Sequence, residues 1–348
     1  MLFSYTFVCL NLVCVLSMST RIKTSFQKGL SASMIANIDA FVIDQWGVLH
    51  DGKVLYEGAL GAMTKLTEAG KKTVMLSNSS KRKDASIAGL KKVGLDPSIF
   101  FHEIVTSGEL GWHYIKERQV KELMNSGVAD GSSFKVVCFG NSQDDDEYLN
   151  SAGCVVSTPE EADFILARGT GCVQVKDGTV VFEDAFDLLL SDELKVVLEE
   201  CAKRKIPMLV TNPDFYRPGS GQPMPGLIAK KYAELIGSSD RIKYFGKPYD
   251  DVYQACFESL GVGDKSRIAG IGDSLDHDIM GASLSGINSI FVENGVHCQQ
   301  LGTEEGSQTS SGLIQVSELI AVVGEESGKP AALCEPTYSI PCFRWVEE

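Results

Sequence analysis

A carboxylate placed beside a bound phosphate can attack phosphorus and form an aspartyl-phosphate, and Asp44 stands where such a group would be useful. It closes the apolar run of residues 40–43 and is followed by a turn containing Gly47. An apolar run of that length reads as a buried strand. The carboxyl end of a strand is where open α/β sheets bind their ligands. Three other segments carry polar groups in comparable places. Residues 74–78 are an apolar strand ending in the hydroxyl of Ser77 and the amide of Asn78. Gly246-Lys247-Pro248 follows a short strand-like stretch, and residues 268–278 are a strand that ends in Asp273, Asp276 and Asp278.

These side chains can meet only if their strands are parallel and share one edge. Strand-like and helix-like segments do alternate from about 38 to 325, which implies βαβ units and a doubly wound sheet. Residues 59–69 have Leu60, Met63 and Leu66 at helical spacing and stop at Gly70; 84–93 is a helix stopped by Gly94. The Gly- and Ser-rich stretch 126–133 reads as a linker. A second alternating unit follows, with strands near 134–140, 162–167 and 207–211 and a helix over 192–204. The first pattern then resumes after 237–239. The expected architecture is an α/β protein: a Rossmann-like core over 33–132 and 239–325, interrupted by an inserted α/β domain over 133–238. A leader over 1–32 precedes it, and residues 326–348 form a tail without a period.

Composition narrows the function. The chain has 348 residues, 44% hydrophobic content and a formal net charge of −14. That charge argues against a nucleic-acid partner, which needs a basic surface, and it means an anionic substrate would need local help from a lysine and a metal ion. The ten cysteines are scattered without a C-x-x-C pair, so zinc and thioredoxin-like readings lack support. Isolated cysteines suit small core residues in a reducing compartment. Residues 1–20 carry no charge and 3–16 are mostly apolar, but a basic n-region and an A-x-A cleavage site are missing. Arg21, Lys23 and Lys28 after the run would suit a signal-anchor, whereas a start at Met18 would make the preceding residues a nonessential extension and 18–38 a transit-peptide candidate. The expectation is a dispensable or targeting leader and a cytoplasmic body, with no membrane role for the main body. A plastid or mitochondrion is the alternative compartment.

The four motifs, in order and with a domain-sized insertion between the second and third, resemble the haloacid dehalogenase superfamily. Within it the resemblance is to the class IIA branch, the NagD-like and pyridoxal-phosphatase-like enzymes, over roughly 35 to 325. It implies an inserted C2-type cap and Mg²⁺-dependent hydrolysis of a small phosphorylated metabolite. Asp44 would be the nucleophile, Ser77 would hold the phosphoryl group with help from Asn78, and Lys247 would neutralise charge. Asp44, the backbone carbonyl of Trp46, Asp273 and Asp278 would hold Mg²⁺, which favours near-octahedral oxygens from few carboxylates. Because phosphoryl transfer is mostly positioning and charge stabilisation, this set is nearly sufficient. Asn212 and Asp214 match the cap loop that faces the leaving group, with Tyr216 and Arg217 as additional candidates, although an ordinary Asn-Pro turn explains the same residue types. A homodimer through the cap is implied only by analogy.

One part departs from the pattern. The family's second aspartate, two residues after the nucleophile, protonates the leaving oxygen and then activates water. Here that position is Trp46, which cannot transfer a proton. General acid–base help is worth about 10² to 10⁴ in rate. Three outcomes stay open: a phosphatase using a substitute acid, with His50 the candidate; a hydrolase for a different bond; or a noncatalytic protein that binds Mg²⁺ and phosphate. Other polar clusters have plainer readings. The acids 144–147 suit the first turn of a helix capped by Ser142, and Gly169-Thr170-Gly171 suits a turn. Trp112 and His113 suit packing or surface positions, and His277 stands where relatives carry a small hydroxyl residue.

Overall fold

The computed structural model describes residues 24–124, 128–129, 131–217 and 220–348. The leader reading of residues 1–23 and part of the linker reading at 126–133 fall outside the described residues.

The first sheet has seven strands among the described residues, and all neighbours are parallel. Their order is Ser25–Phe26, Tyr338–Ile340, Asn288–Val292, Ile268–Gly272, Ala40–Ile43, Lys72–Ser77 and Glu103–Thr106. The Ala40–Ile43 strand is buried at every position. Phe41 and Ile43 enter one core cluster with Met75 and Leu66, whereas Ala40 and Val42 enter another with Val252 and Tyr253. Both sheet faces are therefore covered by helices, which is why this strand reads as an unbroken apolar run and not as an alternating one. In the Ala59–Glu68 helix the buried residues are Ala59, Ala62, Met63 and Leu66. Leu60 is exposed instead.

The second sheet runs Ile242–Tyr244, Met208–Val210, Phe164–Ala167, Phe134–Gly140, Cys172–Val175 and Gly178–Val181, with Cys154–Val156 pairing the start of Phe134–Gly140. It has its own core, around Phe139, Ile165, Leu198 and Tyr232.

Three expectations need correction. The tail is not outside the fold: Tyr338–Ile340 sits between Asn288–Val292 and Ser25–Phe26 in the first sheet. The end of the expected leader is likewise structural, since Ser25–Phe26 is a sheet strand and Leu30 is buried in the core. Strands of two and three residues are too short to show a period, so neither could be read. Ile242–Tyr244 was expected to reopen the core, yet it pairs with Met208–Val210 of the second sheet. Its three half-buried residues carry no signal of which sheet they join. A fourth difference is local. Asp144, not Ser142, stands at the cap position of the Asp145–Ala152 helix, without a side-chain capping bond, and Ser142 adopts a left-handed conformation with its N–H donating to Asp145 Oδ2 at 2.6 Å.

Because Phe343 is 1% exposed within the first core cluster, Phe343→Ala should cost about 3–5 kcal/mol in denaturant unfolding. A loss below about 1 kcal/mol would mean that the C-terminal segment is not part of the core.

Candidate active site

The parallel register brings three strand ends to one edge. Ala40–Ile43 lies between Ile268–Gly272 and Lys72–Ser77, so Asp44, Asp273 and Ser77 emerge side by side. The Asp44 N–H donates to the Ile271 carbonyl at 2.9 Å, which extends the ladder to the acid itself. Lys247 arrives from the segment that returns from the second sheet, and Asn78 seats it. The Lys247 N–H donates to Asn78 Oδ1 at 2.7 Å, and Asn78 Nδ2 donates to the Lys247 carbonyl at 3.3 Å.

Lys247 Nζ then reaches two carboxylates, Asp44 Oδ1 at 2.8 Å and Asp278 Oδ1 at 2.7 Å. Asp273 joins them: one oxygen from each of Asp44, Asp273 and Asp278 lies within 4.8 Å of the others. Asp273 Oδ2 accepts the Val296 N–H at 2.7 Å, and Asp278 Oδ2 accepts the Ser274 N–H at 3.1 Å. Room for these side chains comes from glycine. A Cβ on Gly47, whose φ is +73°, would sit 1.8 Å from Asp273 Oδ2, and one on Gly272 would sit 2.0 Å from the Asp278 carboxyl carbon. The backbone next to Trp46 is therefore pressed against Asp273.

The charges do not balance. Three carboxylates face one ammonium in a site where Asp273, Asp278 and Lys247 are buried. Burial pushes Asp44 up to about 7, with Lys247 opposing and Asp278 adding to the rise. Burial, then Asp44 and Asp278, hold Asp273 well above the usual carboxylate range. Burial works against the charge on Lys247, but Asp278 and Asp44 outweigh it and keep the amine protonated. A divalent cation would resolve the surplus, and the all-oxygen donor set suits Mg²⁺.

Ser77 is buried, and its Oγ accepts from Gln45 Nε2 at 2.7 Å and from the Ser79 N–H at 3.2 Å. With both lone pairs engaged, the hydroxyl proton is what Ser77 has left to offer a ligand. Gln45 has no motif to mark it, and only the folded neighbourhood reveals its role.

The second sheet sends its 211–217 loop to the same place. Asp214 Oδ1 accepts from Asn78 Nδ2 at 2.7 Å, and the Asp214 N–H donates to Asn212 Oδ1 at 2.9 Å. His277 Nε2 lies 3.7 Å from Asp214 Oδ1, and its Nδ1 lies 3.1 Å from Ser274 Oγ. Burial would lower the His277 pKa, but Asp276, Asp214 and Asp278 outweigh it and raise it. No local pattern links His277 with Asp214, since one follows a strand of the first sheet and the other a strand of the second. Tyr216 stays exposed.

Trp46 and His50 form a unit of their own. The Trp46 ring is half exposed, meets the His50 ring edge-on at 5.3 Å, and covers Gly52. His50 is buried, and its Nδ1 accepts the Gly52 N–H at 2.8 Å. Burial holds its pKa below the usual histidine value, so it is neutral with its proton on Nε2. It makes no hydrogen bond to Asp44, Ser77 or Lys247.

Residues 41–154 match the family model of haloacid dehalogenase-like hydrolases, and 244–311 match a second, HAD-hydrolase-like model. The chain is 24% identical over 259 residues to the acid sugar phosphatase of Staphylococcus aureus strain USA300, covering 74% of this chain and 87% of the relative. Its fold is similar to a haloacid dehalogenase-like hydrolase from Brucella suis (TM-score 0.62, 21% identity, 89% and 97% of the two chains). It is also similar to a p-nitrophenyl phosphatase from Archaeoglobus fulgidus (TM-score 0.56, 20% identity, 88% and 96%) and to NagD from E. coli K-12 (TM-score 0.55, 18% identity, 88% and 96%).

Gly47→Ala tests the acid cluster. The added methyl must displace Asp273, so divalent-cation affinity measured by calorimetry should fall by about tenfold or more while the near-UV spectrum stays that of the parent. Unchanged affinity would mean that Asp273 does not face the cation.

Proposed function

We propose that this chain, a haloacid dehalogenase-like hydrolase, is a Mg²⁺-dependent phosphatase of small phosphorylated metabolites. The observation that carries the reading is the Asp44 carboxylate held 2.8 Å from Lys247 Nζ beside two further carboxylates, at the strand edge that also carries Ser77. Names of similar proteins support a phosphate ester of a small molecule: one is called an acid sugar phosphatase and another a p-nitrophenyl phosphatase.

In this reading an Asp44 oxygen attacks phosphorus in line, and the bond to the leaving oxygen breaks, giving an aspartyl-phosphate. Lys247 carries part of the charge that builds on the phosphoryl oxygens, and the Ser77 hydroxyl donates to one of them. Asp44, the Trp46 carbonyl, Asp273 and Asp278 would hold Mg²⁺, which neutralises the substrate and the surplus of carboxylates when bound. Asn78, Asn212 and Asp214 line the leaving-group side and select the substrate. Water then attacks the aspartyl-phosphate, releasing phosphate and restoring Asp44.

Position 46 supplies no proton. His50 is the substitute-acid candidate within the same loop; to act it must first take up a second proton, on the Nδ1 that here accepts from Gly52, because a neutral imidazole N–H is too weak an acid to protonate a leaving oxygen. Turnover is expected to be slow and to favour good leaving groups. A second reading, a protein that binds Mg²⁺ and phosphate without turnover, is favoured by Trp46 alone.

A second copy bound through the cap fits the open edge strand Gly178–Val181, which is exposed throughout, and the exposed Phe186 and Leu190 that follow it. Seven of the eight described cysteines are buried and none is paired, which suits a reducing compartment such as the cytoplasm. Among the described residues no helix is long and apolar enough to cross a membrane.

A phosphate-release screen over small phosphorylated metabolites, with and without Mg²⁺, tests this function. Release should need Mg²⁺ and vanish in Asp44→Asn; release that survives that substitution would sink the mechanism. Trp46→Asp should raise turnover by about 10²-fold. No gain there would place the working acid at another residue.

A further inference from the structure

We propose that Arg168 of the cap is a positioning residue for the phosphate-holding loop 77–80 of the core, acting through Ser80, with Tyr148 as its second arm. The proposal rests on the reading of Ser77 as the phosphoryl ligand.

Arg168 follows the Phe164–Ala167 strand and is among the largest fully buried side chains of the molecule, at 1% exposure. A guanidinium that far from water needs charge and acceptors around it. Both are supplied inside the cap. Nη1 and Nη2 donate to the two oxygens of Asp144, at 3.1 and 3.0 Å, and Nη1 also donates to Asp145. The guanidinium lies over the Tyr148 ring at 4.4 Å. The acids 144 and 145 are therefore the counter-charge of a buried arginine as well as the start of a helix.

The same cluster reaches across to the core twice. Arg168 Nη2 donates to the Ser80 carbonyl at 3.4 Å. Tyr148 Oη donates to the Gly108 carbonyl at 2.8 Å, and the Gly108 N–H donates to the Ser79 carbonyl at 2.9 Å. Gly108 lies so close to the loop that a Cβ there would sit 2.0 Å from the Ser80 carbonyl oxygen. Two arms of one cap cluster thus bear on consecutive carbonyls, Ser79 and Ser80. The Ser79 N–H in turn donates to Ser77 Oγ at 3.2 Å. From the other side, Asp214 of the cap accepts from Asn78 at 2.7 Å. The cap thus holds Asn78 and Ser80 directly and Ser79 through Gly108, and through the Ser79 N–H it bears on the Ser77 hydroxyl, whose other partner is Gln45 of the core. Misplacing such a group by about 1 Å can cost up to about 10² in rate.

Lysine keeps the charge of Arg168 but cannot fork between Asp144 and Ser80. Three variants therefore separate charge from geometry: Arg168→Lys, Arg168→Met, and Tyr148→Phe, which loses only the hydroxyl. Two quantities are read on the full chain: amide hydrogen exchange of the peptide spanning 77–83, and kcat with KM on a small phosphate ester that the parent hydrolyses. Arg168→Lys and Tyr148→Phe should stay folded. Loop exchange should speed up about tenfold, and kcat should drop about tenfold with Mg²⁺ affinity unchanged. A folded Arg168→Lys with parental exchange and kcat overturns the proposal, as does faster exchange without loss of kcat in an active parent. If Arg168→Lys fails to fold, Tyr148→Phe decides by the same criteria. If the parent hydrolyses nothing, the phosphatase reading fails on its own, and the exchange measurement alone decides whether the cap holds the loop.

Discussion

Three carboxylates share one ammonium at the carboxyl edge of the central sheet, and most of the local architecture answers to that imbalance. Asp44, Asp273 and Asp278 have ligand oxygens within 4.8 Å of one another, and Lys247 reaches only two of them. Bringing like charges that close while removing water is costly unless a cation joins them. The surrounding chain is shaped to hold the acids all the same. Gly47 and Gly272 clear the space, the Val296 and Ser274 amides each hold one carboxylate oxygen, and Asn78 fixes the backbone that carries Lys247. An arrangement kept against its own repulsion stores a demand for positive charge, which a divalent ion and a phosphoryl transfer site can use.

Asn78 connects this core to the inserted domain. Its amide oxygen accepts from Lys247, and its amide nitrogen donates to Asp214 of the inserted domain. One side chain therefore registers the charge-carrying lysine and the cap loop together. The cap closes over the loop 77–80 through Arg168 and Tyr148 as well. Trp46 turns its ring onto His50 and Gly52 and brings no ionisable side chain to the acid cluster.

How much of this the sequence could tell depended on the length of the signal. The strand ends at Asp44, Ser77 and Asp273 were legible because a run of three or more residues without a polar side chain precedes each one, and buried parallel strands need such runs. Tyr338–Ile340 and Ser25–Phe26 were not, since two or three residues cannot display a period. Ile242–Tyr244 read as a strand, but its sheet is decided by the pairing with Met208–Val210, which no local pattern encodes. Arg168 escaped notice for a similar reason: its partners Asp144 and Asp145 lie more than twenty positions upstream, and an acidic run before a helix already had a sufficient local explanation. Gln45 and His277 became visible only once Ser77 and Asp214 were placed beside them.

The most direct measurement of the central claim is chemical trapping at Asp44. The protein would be mixed with Mg²⁺ and a phosphate ester that it hydrolyses, quenched in acid within a turnover, and mapped by mass spectrometry. The account predicts phosphate on the Asp44 carboxyl in the parent and none anywhere in Asp44→Asn. Phosphate release with Asp44 never modified, or with the label on another residue, would contradict it.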